Sequence, residues 1–124
     1  FQNVTIKGVV VCNRRKMNNI RVELWEMDRL DPNDKLAETT TNKDGEFTLR
    51  GGDDEVSSIT PYLKIHHNCK VSVIPDQICI RKTEYIVPKQ FIYSADEEEK
   101  VYDMTFVALD IFTSGEREHC EGKK

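Results

Sequence analysis

Ile20-Arg21-Val22-Glu23-Leu24-Trp25-Glu26-Met27 alternates apolar with charged residues, and Lys43-Asp44-Gly45-Glu46-Phe47 places Asp-Gly beside a new apolar run. Strict alternation is the period of a strand with one face buried, because successive side chains point to opposite sides. Ile20, Val22 and Leu24 are therefore expected inward, with Arg21 and Glu23 outward. Asp44-Gly45 supplies the positive φ that a tight hairpin turn needs, and Phe47 and Leu49 resume the inward face beyond it. The pattern extends in both directions. A strand is predicted over 4–12, with Val4, Ile6, Val10 and Cys12 on one face and Thr5 and Lys7 on the other. A short strand is predicted over 36–41, and another over 59–67 with Leu63 and Ile65 inward and Tyr62, Lys64 and His66 outward. Gly51-Gly52-Asp53-Asp54 reads as a loop. In the strand over 78–87, Lys82 and Glu84 share the phase of Ile80 and Ile86, which indicates a bulge or an edge. The strand over 101–112 is apolar on both faces.

Seven short strands without a convincing amphipathic helix predict an all-β fold, an open, barrel-like β-sandwich of immunoglobulin or transthyretin type. At 124 residues, 38% hydrophobic and 32% charged, the chain suits one core: a single domain over 1–124 with 113–124 as a tail. A net charge of −4 gives no basic excess for nucleic acid, and no apolar run approaches the ~20 residues of a membrane-spanning helix. Cys12, Cys69, Cys79 and Cys120 are even in number and widely spaced, with no C-x-x-C pair, so two disulfides and an oxidising compartment are expected. Phe1 in place of Met fits removal of a signal peptide, although a trimmed chain starts the same way, and Asn3-Val4-Thr5 is an N-glycosylation sequon. These features predict a secreted protein.

Leu24-Trp25-Glu26 leads into an acidic loop, Asp28 to Asp34; Leu36-Ala37 follows, then Thr41 to Phe47 with its Asp-Gly-x-Phe turn. Tyr62-Leu63-Lys64-Ile65-His66-His67-Asn68-Cys69 and the strand from Cys79 to Pro88 complete the order. This series closely resembles the nematode transthyretin-like family, small secreted proteins on a transthyretin-type sandwich. One member of that family bridges a dying cell and a phagocyte, and the resemblance extends to it. The implied function is binding of phosphatidylserine on the apoptotic cell and of an engulfment receptor on the phagocyte, promoting corpse clearance. A second expectation is an extracellular carrier of small hydrophobic ligands, as transthyretin-type proteins can be. Hydroxyisourate hydrolases among the transthyretin relatives end in Tyr-Arg-Gly-Ser, whereas this chain ends Glu121-Gly122-Lys123-Lys124, so that activity is not inherited. No G-x-S-x-G, H-E-x-x-H or phosphate loop occurs, and adjacent His66 and His67 point to opposite faces of a strand, so no catalytic residues are assigned. His119 lies in the tail.

Alternating strand directions sort the connections between two ends. One end collects Asp28, Asp31 and Asp34, then Asp53, Asp54 and Glu55, then the run Asp96-Glu97-Glu98-Glu99. The first six are the candidate ligands for Ca²⁺, a hard ion that takes six to eight oxygens. The ion would in turn take phosphate or carboxylate oxygens of phosphatidylserine. Aspartate is also favoured in ordinary solvated turns. Phe91, Ile92 and Tyr93 are candidates for the lipid interface. The other end carries Arg14-Arg15-Lys16, which suits direct contact with anionic headgroups or a solvated turn. The same sorting suggests a bridge Cys69–Cys79 closing one hairpin, and a bridge Cys12–Cys120 if the first and last strands run parallel, among the three pairings that four cysteines allow. The second apolar face of the last strand, with Val107, Leu109, Ile111 and Phe112, is the candidate surface for the receptor or for a homodimer, unless the tail or Trp25 covers it.

Overall fold

β1 (Gln2–Cys12) is the spine of the first sheet. It pairs antiparallel with β5 (Glu46–Asp53) and parallel with β9 (Val101–Ala108), while β2 (Arg15–Lys16) and β8 (Tyr93–Ser94) pair with its two ends. The second sheet is antiparallel throughout, in the order β10 (Arg117–Gly122), β7 (Gln77–Ile86), β6 (Pro61–His67), β3 (Arg21–Glu26), β4 (Asp34–Thr40). One 3₁₀ turn, Lys89–Phe91, interrupts the connection from β7 to β8. The computed structural model describes residues 1–28, 30–54 and 59–123.

Alternation accounts for the core between the sheets. Val4, Ile6 and Val10 of β1 and Phe47 and Leu49 of β5 meet Val22 and Leu24 of β3 and Leu63 and Ile65 of β6. Each fully buried leucine or isoleucine stabilises by roughly 1.5–3 kcal/mol relative to exposure. Gly45 takes φ +74°, as the Asp-Gly turn requires, and its amide donates to the Asn42 carbonyl. Gly51 and Gly52 do not form the expected loop; they continue β5. A Cβ on Gly51 would lie 2.9 Å from Leu24 Cδ2, and one on Gly52 2.4 Å from the Gln2 carbonyl, so glycine is what lets this strand run on between its neighbours to Asp53.

β9 departs from simple alternation, whereas β7, expected to carry a bulge or lie at an edge, does neither: it alternates without a register shift between β10 and β6. In β9, Lys7 pairs with Asp103 but Val9 pairs with Phe106, so β9 carries one extra residue, and Thr105 sits at φ +57°. A one-residue bulge flips every later side chain to the other face. Tyr102 and Met104 before it, and Val107 and Leu109 after it, consequently all pack against one core. The apparent second apolar face is an effect of the bulge, and Phe106 is the residue left outside, 66% exposed. In β7, the inward residues are Cys79, Arg81, Thr83 and Tyr85, while Ile78, Ile80 and Ile86 face solvent.

The tail does not hang free: residues 117–122 form β10 and extend the second sheet beyond β7. This corrects the cysteine pairing. The bridges are Cys12–Cys69 and Cys79–Cys120, not Cys12–Cys120 and Cys69–Cys79. The register His67↔Arg81, if continued, would set residue 69 opposite 79, but β6 stops at His67 and the chain turns toward the end of β1. Cys79 and Cys120 are instead direct cross-strand partners.

Candidate functional site

The two ends of the sandwich lie about 35 Å apart, the length of the eleven-residue β1. At the starting end of β1, three strands deliver carboxylates to one point. Glu26 follows Val22 and Leu24 on the inward face of β3, Asp34 opens β4 directly opposite it, and Asp53 closes β5 from the other sheet. Oxygens from all three lie within 4.8 Å of one another. Glu26 is buried, Asp34 exposed and Asp53 between the two. Like charges gathered this closely repel, and a cation or proton relieves the repulsion.

The neighbouring loop shapes the rim. The Asp28 carboxylate accepts from the amides of Leu30 and Asp31 at 3.0 and 3.2 Å, and the Asp28 amide donates to Asn33 Oδ1 at 3.0 Å. Asn33 Nδ2 then donates to the Tyr62 hydroxyl at 2.9 Å, pinning the loop to β6. Met27, next to Glu26 in the chain, and Leu30, within this loop, are exposed, Leu30 to 93%.

At the finishing end of β1 the arrangement is different. Asn13 and Arg14, at φ +50° and +68°, make the two-residue turn between β1 and β2, and Arg14, Arg15 and Lys16 project into solvent. Beneath them Arg81 is completely buried. Its Nε and Nη2 donate to Glu116 at 2.6 and 2.7 Å, its Nη1 donates to the carbonyls of Cys69 and Leu109, and the Phe112 ring lies 3.8 Å from its Cζ. Arg81 holds the Glu116 carboxyl below the usual range. Beside it, His67 accepts from the Cys69 amide at Nδ1 and meets Thr83 Oγ1 at 2.8 Å through Nε2. Burial, and then the Arg81 charge, pull His67 down to about 4.

Residues 7–88 match the family model described as TTR-52, transthyretin-like family. The chain belongs to the transthyretin-like family. Transthyretin-like protein 16 of Caenorhabditis elegans is 45% identical over 98% of this chain and 85% of its own. Transthyretin-like protein 46 of the same organism is 35% identical over 94% of this chain and 65% of its own. Transthyretin-like protein 2 is 34% identical over 96% and 82%. Among solved structures, a 9R-lipoxygenase from Cyanothece PCC8801 superposes with TM-score 0.50 at 17% identity, over 87% of this chain and 16% of the lipoxygenase, a likeness of fold alone.

On this transthyretin-like scaffold the expected ligand residues separate. Asp34 and Asp53 meet, and Glu26 joins them. Asp28 serves its own loop, Asp31 and Asp54 are exposed outside the cluster, and Glu55 lies outside the described residues. Phe91, Ile92 and Tyr93 are not free to enter a membrane: Phe91 stacks on Tyr102 at 4.8 Å, Ile92 packs on the core, and Tyr93 is buried with its hydroxyl 2.6 Å from Thr5 Oγ1. The glutamate run is anchored as well, since Glu99 accepts from Arg50 Nε at 2.6 Å and from Thr5 Oγ1 at 2.9 Å. Val107 and Leu109 are core residues and offer no docking surface, whereas Ile111 and Phe112 are 62% and 58% exposed. Asn3 is half-buried in β1 between Gly52 and Tyr93. His66 lies on the outer face, its Nδ1 accepting from Arg21 at 3.2 Å and its Nε2 donating to Glu23 at 2.6 Å, so the two neighbouring histidines serve separate networks.

Sequence reasoning missed Glu26 and Arg81. Both carried a signal: Glu26 continues the phase of Val22 and Leu24, and Arg81 continues that of Cys79. A charge in core phase near a strand end marks a buried polar centre.

Proposed function

We propose that this chain is a secreted bridging protein that binds phosphatidylserine on apoptotic cells through its acidic end, with Ca²⁺, and a phagocyte engulfment receptor through another surface. The observation that carries the reading is the convergence of Glu26, Asp34 and Asp53 beside the exposed Met27 and Leu30. Three carboxylates offer at most six oxygens to an ion that takes six to eight, so positions remain for the phosphate and serine carboxylate of the headgroup. Met27 and Leu30 replace Phe91, Ile92 and Tyr93 as the side chains that enter the interfacial layer. A domain standing on this end holds Arg14, Arg15 and Lys16 about 35 Å from the bilayer. One molecule thus presents one end to a given membrane and leaves the rest for a partner. Phe106, Ile111 and Phe112, all more than half exposed, are the side chains offered to the receptor or to a second copy.

Liposome co-sedimentation tests this reading. Pelleting is expected with phosphatidylserine vesicles and Ca²⁺, but not with phosphatidylcholine vesicles or after chelation, and Leu30→Ser is expected to weaken it. Equal pelleting on both lipids, or none on either, overturns the lipid reading. Chelator-resistant, salt-sensitive pelleting assigns the contact to Arg14, Arg15 and Lys16 instead. Ile111→Asp is expected to abolish receptor binding without affecting vesicles, and sedimentation equilibrium of the same variant reports whether this face joins two copies.

A further inference from the structure

The outer face of the second sheet carries a feature that the acidic end does not use. β7 turns Ile78 and Ile80 to solvent, 57% and 41% exposed, followed in the same phase by Lys82. At the finishing end of β1, the connection between β6 and β7 folds against this pair, bringing Val71, Val73 and Ile74 alongside and enclosing a cleft of about 750 Å³. The connection is held in place: the Ser72 amide donates to Glu118 of β10 at 2.8 Å, and the Lys123 amide donates to the Asp76 carbonyl at 2.8 Å. The cleft runs into a second hollow of about 500 Å³ that shares Ile78, Ile80 and His66 and adds Arg21, Lys82 and His119. Together they form one groove, apolar at the loop and cationic further along β7.

The charges are unevenly committed. Arg21 contacts Glu23 at 3.5 Å, and His119 contacts Glu121 at 2.8 Å. Lys82 and Arg117 are direct cross-strand partners, and neither forms an ion pair among the described residues. Two adjacent cations thus stand at one end of an apolar trough. Of the carboxylates around the groove, Asp76 and Glu121 lie at the opposite, loop end, Glu23 is engaged with Arg21 and His66, and Glu84 follows Lys82 on the same face of β7, where its cross-strand partner is Lys64.

We propose that this groove binds a single-chain carboxylate amphiphile, a fatty acid. The carboxylate sits between Lys82 and Arg117, where a guanidinium offers bidentate hydrogen bonds and a lysine a point charge. The alkyl chain runs along Ile80 and Ile78 toward Val71 and Ile74. Four strand residues from Lys82 to Ile78 cover about 13 Å, so a chain of about ten carbons or more is needed to reach the loop. The alkyl chain covers isoleucines that otherwise face water, and the cleft's volume lies within the usual range of small-molecule sites. The inference is independent of phosphatidylserine binding, because groove and carboxylate cluster occupy different ends and need no common ion.

Isothermal titration of the full chain in chelator with dodecanoate and tetradecanoate, below their micelle concentrations, tests it. Saturable binding is expected, tightening about three- to four-fold for each methylene that reaches the apolar part. Tetradecyltrimethylammonium is expected not to bind. Lys82→Glu with Arg117→Glu should weaken the carboxylate at least tenfold and admit the cationic amphiphile. Ile80→Thr should weaken every chain length. Asp34→Asn with Asp53→Asn should leave the carboxylate affinity unchanged. Absence of binding, equal binding of both headgroup charges by the unaltered chain, or indifference to both groove variants overturns the proposal. None of these results bears on Ca²⁺-dependent vesicle binding, so the two readings fail separately.

Discussion

The two ends of the sandwich hold charge in opposite ways. Where β1 finishes, the central charge is buried and matched: Arg81 has a carboxylate, two carbonyls and an aromatic ring around it, and both disulfides lie nearby. Where β1 starts, carboxylates from three strands crowd together at a half-open rim. The first arrangement matches the buried Arg81 with Glu116 internally and is suited to holding the fold. The second leaves like charges together and is suited to receiving a counter-charge from outside. This difference distinguishes the end that holds the fold from the end proposed to bind.

Removing Arg81 is expected to have the largest effect on the closed end. Arg81→Ala leaves the Cys69 and Leu109 carbonyls without their side-chain donor and the Glu116 carboxylate with only the Thr113 amide, and is expected to destabilise by roughly 3–5 kcal/mol in urea unfolding. Arg81→Met should cost less than Arg81→Ala, because it refills the volume. A loss below about 1 kcal/mol for Arg81→Ala would mean that this end is no more locked than the other.

The next effect is covalent. The Cys12–Cys69 and Cys79–Cys120 bridges span 57 and 41 residues of sequence. Cys79→Ser with Cys120→Ser is expected to cost roughly 2–4 kcal/mol through loop closure in the unfolded chain. It should also speed amide exchange in β10 ahead of the rest of the second sheet. Non-reducing peptide mapping is expected to recover these two bridges, and a Cys69–Cys79 peptide would refute the pairing.

A third effect comes from acid. His67 titrates near 4 in the folded protein, against an ordinary value of 6.5. Between those values the unfolded chain binds a proton that the folded chain does not, so stability is complete above pH 6.5 and falls as the pH drops toward 4. Full protonation of the unfolded side chain removes about 3 kcal/mol. Unfolding midpoints measured from pH 7 to 4.5 should show this slope, and His67→Gln should flatten it. An unchanged slope in that variant would locate the acid sensitivity elsewhere.

How much of this was legible in the sequence follows from what each signal reports. Period-two alternation reported the strands carrying Val22, Leu24, Leu63 and Ile65, and Asp44-Gly45 reported its turn, because both are local effects. The sorting of loops between two ends was legible too: Met27 donates to the Thr60 carbonyl at one end, and Asn19 to the Thr41 carbonyl at the other. The β9 bulge was hidden because residue order does not reveal an unpaired position, so one inward set read as two faces. The disulfides were misassigned because the tail crosses to β7, a long-range choice made by sheet pairing. Phe91 and Tyr93 looked membrane-ready by type, yet β8 pairs with β1 and brings both onto the sheet.

The smallest effect on stability is expected at the acidic end. Asp34→Asn with Asp53→Asn removes two of three crowded charges while keeping side-chain shape. Without Ca²⁺ the melting temperature should hardly move, by the equivalent of about 0.5 kcal/mol or less, because relief of repulsion offsets whatever polar contacts are lost. With Ca²⁺ at a hundred times its dissociation constant, the unaltered chain should gain about 2.7 kcal/mol by mass action, and the variant nothing. The same chelator titration on Arg81→Ala should show the full Ca²⁺ gain on a lowered baseline. If the aspartate pair proved strongly destabilising without the ion, the acidic end would be a second structural centre, and the division of labour between the two ends would fail.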